Sequence, residues 1–75
     1  MISTIYVEPL ADGWAVRQDE VDNPQVFTSG AKAEDAALRL AERLARAGKP
    51  SEVIVYLRNG AMAGRFACPA VQPSA

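Results

Sequence analysis

Few residues in this chain are suited to catalytic chemistry. The sequence has 75 residues, no histidine and a single cysteine, Cys68. Histidine and cysteine supply most zinc ligands and most nucleophile–base pairs, and a disulfide within the chain needs two cysteines. The carboxylates fall in predicted loops or on a predicted helix surface, where no two form a buried acid and base. We therefore expect no catalytic residue, no metal site and no cofactor, and we predict that the protein is not an enzyme.

Tyrosine and arginine are the residue types in this chain best suited to binding. Both are enriched among the residues that contribute most to the affinity of protein interfaces. Both also serve single-stranded nucleic-acid binding, where aromatic rings stack on bases and arginines contact phosphates. The candidate contact residues are Tyr6, Arg17, Ile54, Tyr56, Arg58 and Arg65.

A second group of polar residues precedes the predicted helix. Thr28, Ser29 and Gly30, followed by Lys32, offer hydroxyls, backbone N–H groups and a cation, which is the composition of a small anion site. Capping of the helix explains the same residue types without a ligand. The sequence leaves open which of the three residues caps the helix.

The first thirty residues predict three strands. Residues 3–9 alternate between apolar and polar side chains, the period of a half-buried strand, and residues 14–18 alternate again after a turn at 10–13. An antiparallel hairpin then pairs Val7 with Val16 and Tyr6 with Arg17. Residues 19–24 predict an acidic loop, because Pro24 cannot donate a strand hydrogen bond. Residues 25–28 predict a short third strand.

Residues 31–47 predict a helix. Apolar residues, mostly alanine, recur there at helical spacing and form one stripe, so the helix should lie close to the surface that it covers. Two pairs of opposite charge, Asp35 with Arg39 and Glu42 with Arg46, have the i,i+4 spacing that supports an exposed helix surface. Gly48 suits the position after the helix, and Pro50 prevents its continuation.

The last third of the chain predicts a hairpin. Residues 52–58 have the pattern of a strand, and Asn59-Gly60 is a strong signal for a two-residue turn. Such a turn pairs Arg58 with Ala61, Tyr56 with Ala63 and Ile54 with Arg65. We expect one domain at residues 1–68, followed by a flexible tail at 69–75 that holds two prolines and small residues.

Together these elements predict an α+β fold, a two-layer sandwich. Its sheet is expected to be antiparallel, with the order β-β-β-α-β-β and one helix packed on one face. Trp14 shares a sheet face with Val7 and Val16, so we predict its indole in the core beneath the helix. One helix covers only one face of a five-stranded sheet. The candidate contact residues are therefore expected to lie together on the open face.

The charge distribution bears on the partner and on the compartment. Residues 1–30 carry a net charge of −4, residues 31–49 carry +2 and residues 50–75 carry +1, which gives −1 for the chain. A protein that binds nucleic acid usually has a basic excess, so this balance disfavours nucleic acid. No apolar run reaches the roughly 18 residues of a membrane span, and the start lacks the pattern of a signal peptide. With a lone cysteine, we expect a cytoplasmic protein without a membrane partner.

Two segments near the start resemble a known family. They are Tyr6-Val7-Glu8-Pro9 and Asp12-Gly13-Trp14-Ala15-Val16, and they resemble the opening of small bacterial proteins called domain of unknown function 2188. The resemblance covers about residues 4–67 and implies a short strand at 26–28, an alanine-rich helix at 33–47 and a final hairpin at 53–66. The chain departs from the pattern in its longer 19–24 loop and in the apolar residues at 61–63. The family has no established activity, so the resemblance implies a fold and no function.

These observations predict a small binding module. The first hypothesis is contact with another protein or with a second copy of the chain, through the open sheet face or a sheet edge. A second copy would add stability to the modest core of a domain this small. The alternative is single-stranded nucleic-acid binding through the same tyrosines and arginines.

Overall fold

A computed structural model describes residues 2–19 and 21–71 of the chain. The elements are β1 (Ser3–Leu10), β2 (Gly13–Gln18), β3 (Val21–Phe27), α1 (Gly30–Arg46), β4 (Ser51–Tyr56) and β5 (Met62–Cys68). This is the predicted order of strands and helix, and the α+β class is confirmed. The third strand is longer than predicted, because it includes residues 21–24 of the expected acidic loop. Pro24 is tolerated there because β3 lies at an edge of the sheet, where an N–H group can be missing.

The sheet is mixed, so the prediction of an antiparallel sheet is wrong in one strand pair. The spatial order is β3-β2-β1-β4-β5, and β1 runs parallel to β4 while the other neighbours are antiparallel. The cause is the connection through α1. The two turns before the helix make β1 and β3 run in the same direction, and the helix returns the chain to the end of the sheet where β3 began. β4 therefore starts beside the start of β1 and runs alongside it.

The first hairpin has the predicted register. Val7 lies opposite Val16, Pro9 opposite Trp14 and Ile5 opposite Gln18. These side chains point toward α1, while Tyr6 and Arg17, which are also opposite each other, point away from it.

The second hairpin turns differently from the prediction. The Gly60 N–H donates to the Leu57 carbonyl at 2.9 Å, and the Leu57 N–H donates to the Ala61 carbonyl at 2.8 Å, so the loop has three residues. Only glycines have positive φ among the described residues, and Gly60 is one of them (φ +87°), so Asn59 cannot serve in the predicted two-residue turn. Tyr56 consequently pairs with Met62 rather than Ala63. A bulge between Val55 and Tyr56, with Ala63 of β5 as the extra residue, then restores the predicted pairing of Ile54 with Arg65.

Alanines bring the helix close to the sheet. Ala33, Ala37, Ala41 and Ala45 are buried along one face of α1, and the fully buried side chains beneath the helix are Ile5, Val7 and Val53. The helix begins at a Ser29 cap, whose hydroxyl accepts a hydrogen bond from the Lys32 N–H at 3.1 Å. Both predicted i,i+4 ion pairs form on the outer surface.

Trp14 lies where the start of the helix meets the sheet. Its ring is half-buried, and a Cβ added at Gly30 would approach it to 3.0 Å, so the glycine allows the helix to begin directly over the indole. Gly64 lies on β5, at an edge of the sheet. Its missing side chain leaves room for the ring of Phe66 on the same strand.

After β5 the described chain has no regular secondary structure at residues 69–71, although the Val71 N–H donates to the Ala45 carbonyl at 2.9 Å. The rest of the predicted tail, residues 72–75, lies outside the described residues. Within the described ranges, no helix has the length and apolar character to cross a membrane.

Candidate functional site

The candidate site is the sheet face turned away from α1, here called the open face. One row of side chains crosses four strands on this face, because Arg17 lies opposite Tyr6, Tyr6 beside Ile54, and Ile54 opposite Arg65. Two hairpins and the parallel β1–β4 pair are needed to bring these four residues into line. The structure therefore places Tyr6, Arg17, Ile54, Tyr56 and Arg65 together, as the sequence predicts.

Two aromatic rings form the centre of this surface. The ring centroids of Tyr6 and Tyr56 are 6.5 Å apart and the ring planes differ by 15°, a stacked arrangement called here the tyrosine stack. Met62 lies directly across from Tyr56 on β5 and is 53% exposed. The predicted turn would have placed Ala63 at that position. Met62 is thus a member of the surface that sequence reasoning missed, and recognising a three-residue loop would have found it.

Arg17 closes one side of the tyrosine stack. Its Cζ lies 4.2 Å from the ring centroid of Tyr6, within the range of a cation–π interaction. Its Nη2 and Nε donate to the two carboxylate oxygens of Glu8, at 2.9 and 3.5 Å. The hydrogen bond from Glu8 raises the pKa of the Arg17 guanidinium further above its ordinary value. Arg17 is therefore held by a ring and a carboxylate at once.

Arg65, on the other side of the tyrosine stack, is likewise paired with a carboxylate. Its Nε lies 2.9 Å from one carboxylate oxygen of Glu52, and its Nη2 donates to the other oxygen at 3.0 Å. This hydrogen bonding raises the pKa of Arg65. Two-point pairing of this kind fixes a guanidinium far better than a single contact. The two arginines and two glutamates of this face therefore cancel in charge.

Arg58 lies apart from this surface, contrary to the expectation that it shares the open face. It belongs to the three-residue loop, and its Nη1 donates to the Leu10 carbonyl at 2.6 Å. Its Cζ lies 5.4 Å from the centroid of Trp14, on the helix side of the sheet. The longer loop redirects this side chain, which joins the β4–β5 loop to the turn between β1 and β2.

Tyr6 has a perturbed hydroxyl. Partial burial raises the pKa of Tyr6, and a hydrogen bond with Asp19 and the negative charge of that residue raise it further. The positive charge of Arg17 acts in the opposite direction. The phenol of Tyr6 therefore stays protonated to a higher pH than a free tyrosine, with Asp19 as its hydrogen-bond partner.

Other parts of the described chain offer weaker sites. A cleft of about 190 Å³ between β2, β3 and α1 is lined by Val16, Gln18, Leu40 and Arg43, among others, and is smaller than the roughly 300 Å³ at which ligand pockets begin. The candidate anion site before the helix has its Ser29 hydroxyl occupied as the cap. In residues 2–19 and 21–71, no three His, Cys, Asp or Glu side chains cluster as metal ligands.

Comparison of the chain with protein-family models, with curated proteins and with solved structures finds no match.

Proposed function

We propose that this chain is a protein-binding module whose contact surface is the open face. The surface consists of the tyrosine stack with Ile54 and Met62 between the two arginine–glutamate pairs. The observation that carries the proposal is the combination of half-exposed aromatic and apolar groups with two arginines that are each paired with a glutamate. When such a face binds another protein surface, neither of its two arginines is left unpaired.

The partner that fits this face is a flat protein surface with an apolar centre. Tyr6 and Tyr56 offer rigid rings at low entropic cost. Arg17 and Arg65 lie at the two sides of the row, where an interface is usually polar. Affinity would come mainly from the rings, and the ion pairs would set orientation.

Photo-crosslinking in cells tests the proposal without knowledge of the partner. Met62 is replaced by a photoreactive phenylalanine analogue, and in a matched control Leu38 of α1 receives the same group. Both positions are exposed, to 53% and 43% respectively. We expect from position 62 a discrete adduct with a protein other than this chain, and none from position 38. Equal adducts from both positions, or none from position 62, would contradict the proposal.

Single-stranded nucleic-acid binding is the second candidate. The tyrosine stack favours it, because aromatic rings are platforms for unpaired bases. The ion pairs argue against it, since both guanidinium groups of the face already bind carboxylates and the four charges cancel. Phosphate contacts supply most of the affinity in such complexes. We therefore rank protein contact first.

We further propose a family and a compartment. The segment from Pro9 to Val16, the motif shared with domain of unknown function 2188, forms the β1–β2 hairpin, and this supports membership of that family. The lone Cys68 supports a cytoplasmic location. We infer a binding role rather than catalysis, because Glu8 and Glu52 are each engaged by an arginine.

A further inference from the structure

The two edges of the sheet differ in how they are protected. β3 carries Pro24 and the polar residue Asn23 along one edge. β5 forms the other edge with seven residues, of which Arg65 is the only charged one and none is proline. Natural sheets block edge pairing with prolines, charges and short strands. β5 has a bulge at Ala63, near its start, and beyond this bulge its only such device is Arg65, which is paired with Glu52.

The backbone of β5 has groups available for another strand. The Leu57 N–H bonds to Ala61, and the Pro50 carbonyl accepts from Ser3, so odd-numbered residues of β4 face β5 and even-numbered ones face β1. In β5, the residues that bond to β4 are therefore Gly64, Phe66 and Cys68, the partners of Val55, Val53 and Ser51. Arg65 and Ala67 direct their N–H and C=O groups outward, where no strand of the described chain lies.

Phe66 is the exposed side chain of this edge. It lies on the helix side of the sheet, opposite Val53, yet it is 45% exposed because α1 packs mainly over the inner strands. Its ring lies over Gly64 of the same strand. An aromatic ring at the centre of an unprotected edge strand is suited to a cross-strand partner.

We propose that β5 pairs antiparallel with β5 of a second copy of this chain, with Phe66 opposite Phe66 of the second copy. In this register Arg65 lies opposite Ala67 of the second copy. The outward N–H and C=O groups of Arg65 then hydrogen-bond to the C=O and N–H groups of Ala67 across the pair. A shift that places Arg65 opposite itself would oppose like charges and is disfavoured. The strand is thus complementary to itself, which selects a second copy over an unrelated strand.

The symmetry of the pair has a structural consequence. A two-fold axis perpendicular to the sheet places both helices on one side and both open faces on the other. Met62 and Arg65 belong to both β5 and the open face, but the pairing uses the outward backbone groups of β5 and Phe66 on the helix side, so it does not depend on the proposed function. A dimer would present the tyrosine stack twice, on one continuous sheet.

Disulfide trapping tests the pairing. Phe66→Cys is made together with Cys68→Ala, so that position 66 holds the only thiol. Opposite residues in a non-hydrogen-bonded pair have Cα atoms about 4.5 Å apart, within the range that a disulfide spans. We expect a covalent dimer under mild oxidation. The matched control is Val26→Cys with Cys68→Ala, on the other edge and more exposed at 65%.

The rates of disulfide formation in the two cysteine variants decide whether β5 pairs with β5. Pairing holds the two thiols at an effective concentration in the millimolar range, so Phe66→Cys should link more than about tenfold faster than Val26→Cys at micromolar protein. Equal rates would overturn the proposal. A second measurement uses Ala67→Pro, which removes an outward N–H while leaving the β4 bonds in place. Sedimentation should show the wild type as a dimer and this variant as a folded monomer. A wild type that stays monomeric at high micromolar concentration would also overturn the proposed pairing of β5 with β5.

Discussion

Tyr6 and Tyr56 stack across the parallel pair of strands β1 and β4, with ring centroids 6.5 Å apart. Tyr6 lies beside Ile54, and Tyr56 follows on the same face two residues later. The stack therefore exists only because α1 returns the chain beside β1. An all-antiparallel arrangement of the same strands would not require these rings to meet. The surface that we propose for binding is a product of the helix crossover.

Trp14→Ala should destabilise the domain by about 3 kcal/mol, the lower end of the cost of truncating a core aromatic, because the ring is half-buried. Trp14 supports the start of α1 at Gly30 and the guanidinium of Arg58.

Arg58→Ala should lower the free energy of unfolding by about 1 kcal/mol, because the carbonyl hydrogen bonds and the cation–π contact are lost. Urea denaturation measures both. A Trp14→Ala midpoint equal to that of the wild type would exclude Trp14 from the core.

Ser51→Ala should stabilise the domain. Ser51 is 2% exposed, and its hydroxyl oxygen has no hydrogen-bond partner among the described residues. A buried hydroxyl without a partner costs about 1–3 kcal/mol, and alanine removes it with little change in volume. We expect a gain of about 1 kcal/mol in the free energy of unfolding, measured by denaturant titration. Lower stability in this variant would mean that the hydroxyl is hydrogen-bonded.

Alkaline pH should weaken the fold through Tyr6. The folded state raises the pKa of Tyr6 by partial burial and by Asp19, so it favours the protonated phenol. This contribution to stability is fully present below the unfolded pKa of about 10 and is lost as the pH rises through the higher folded value. Phenolate absorbance of Tyr56→Phe should show the raised transition, and adding Asp19→Asn should lower it. A transition that does not respond to Asp19→Asn would refute the assigned cause.

Oligonucleotide titration separates the two candidate functions. The wild type should not bind a mixed-sequence single strand even at low salt, because Glu8 and Glu52 hold Arg17 and Arg65. The double variant Glu8→Gln and Glu52→Gln releases both arginines and should gain weak, salt-sensitive binding. Fluorescence anisotropy measures both proteins. Wild-type binding at low salt, with no gain in the variant, would favour the nucleic-acid function.

Local sequence signals predicted the strands and the helix well, because alternation, an alanine stripe and capping residues act over short distances. The first hairpin register followed from its turn at residues 11 and 12. The parallel β1–β4 pair could not be predicted in this way, since it depends on where the helix returns the chain. The Asn59-Gly60 signal gave the correct hairpin but the wrong loop length, and this error misplaced Arg58 and hid Met62. The pairing of Arg65 with Glu52 was accessible from the predicted register, because Glu52 lies diagonally across from Arg65.

The photo-crosslink from position 62, combined with changes at Tyr56, tests most directly whether the tyrosine stack makes the contact. Tyr56→Ala removes a ring from the half-exposed stack and should cost about 1 kcal/mol of stability or less. Tyr56→Phe retains the ring and is the matched control. We predict that the protein adduct is lost with Tyr56→Ala and kept with Tyr56→Phe, while circular dichroism shows both variants folded. An adduct of unchanged yield in a folded Tyr56→Ala variant would contradict the account.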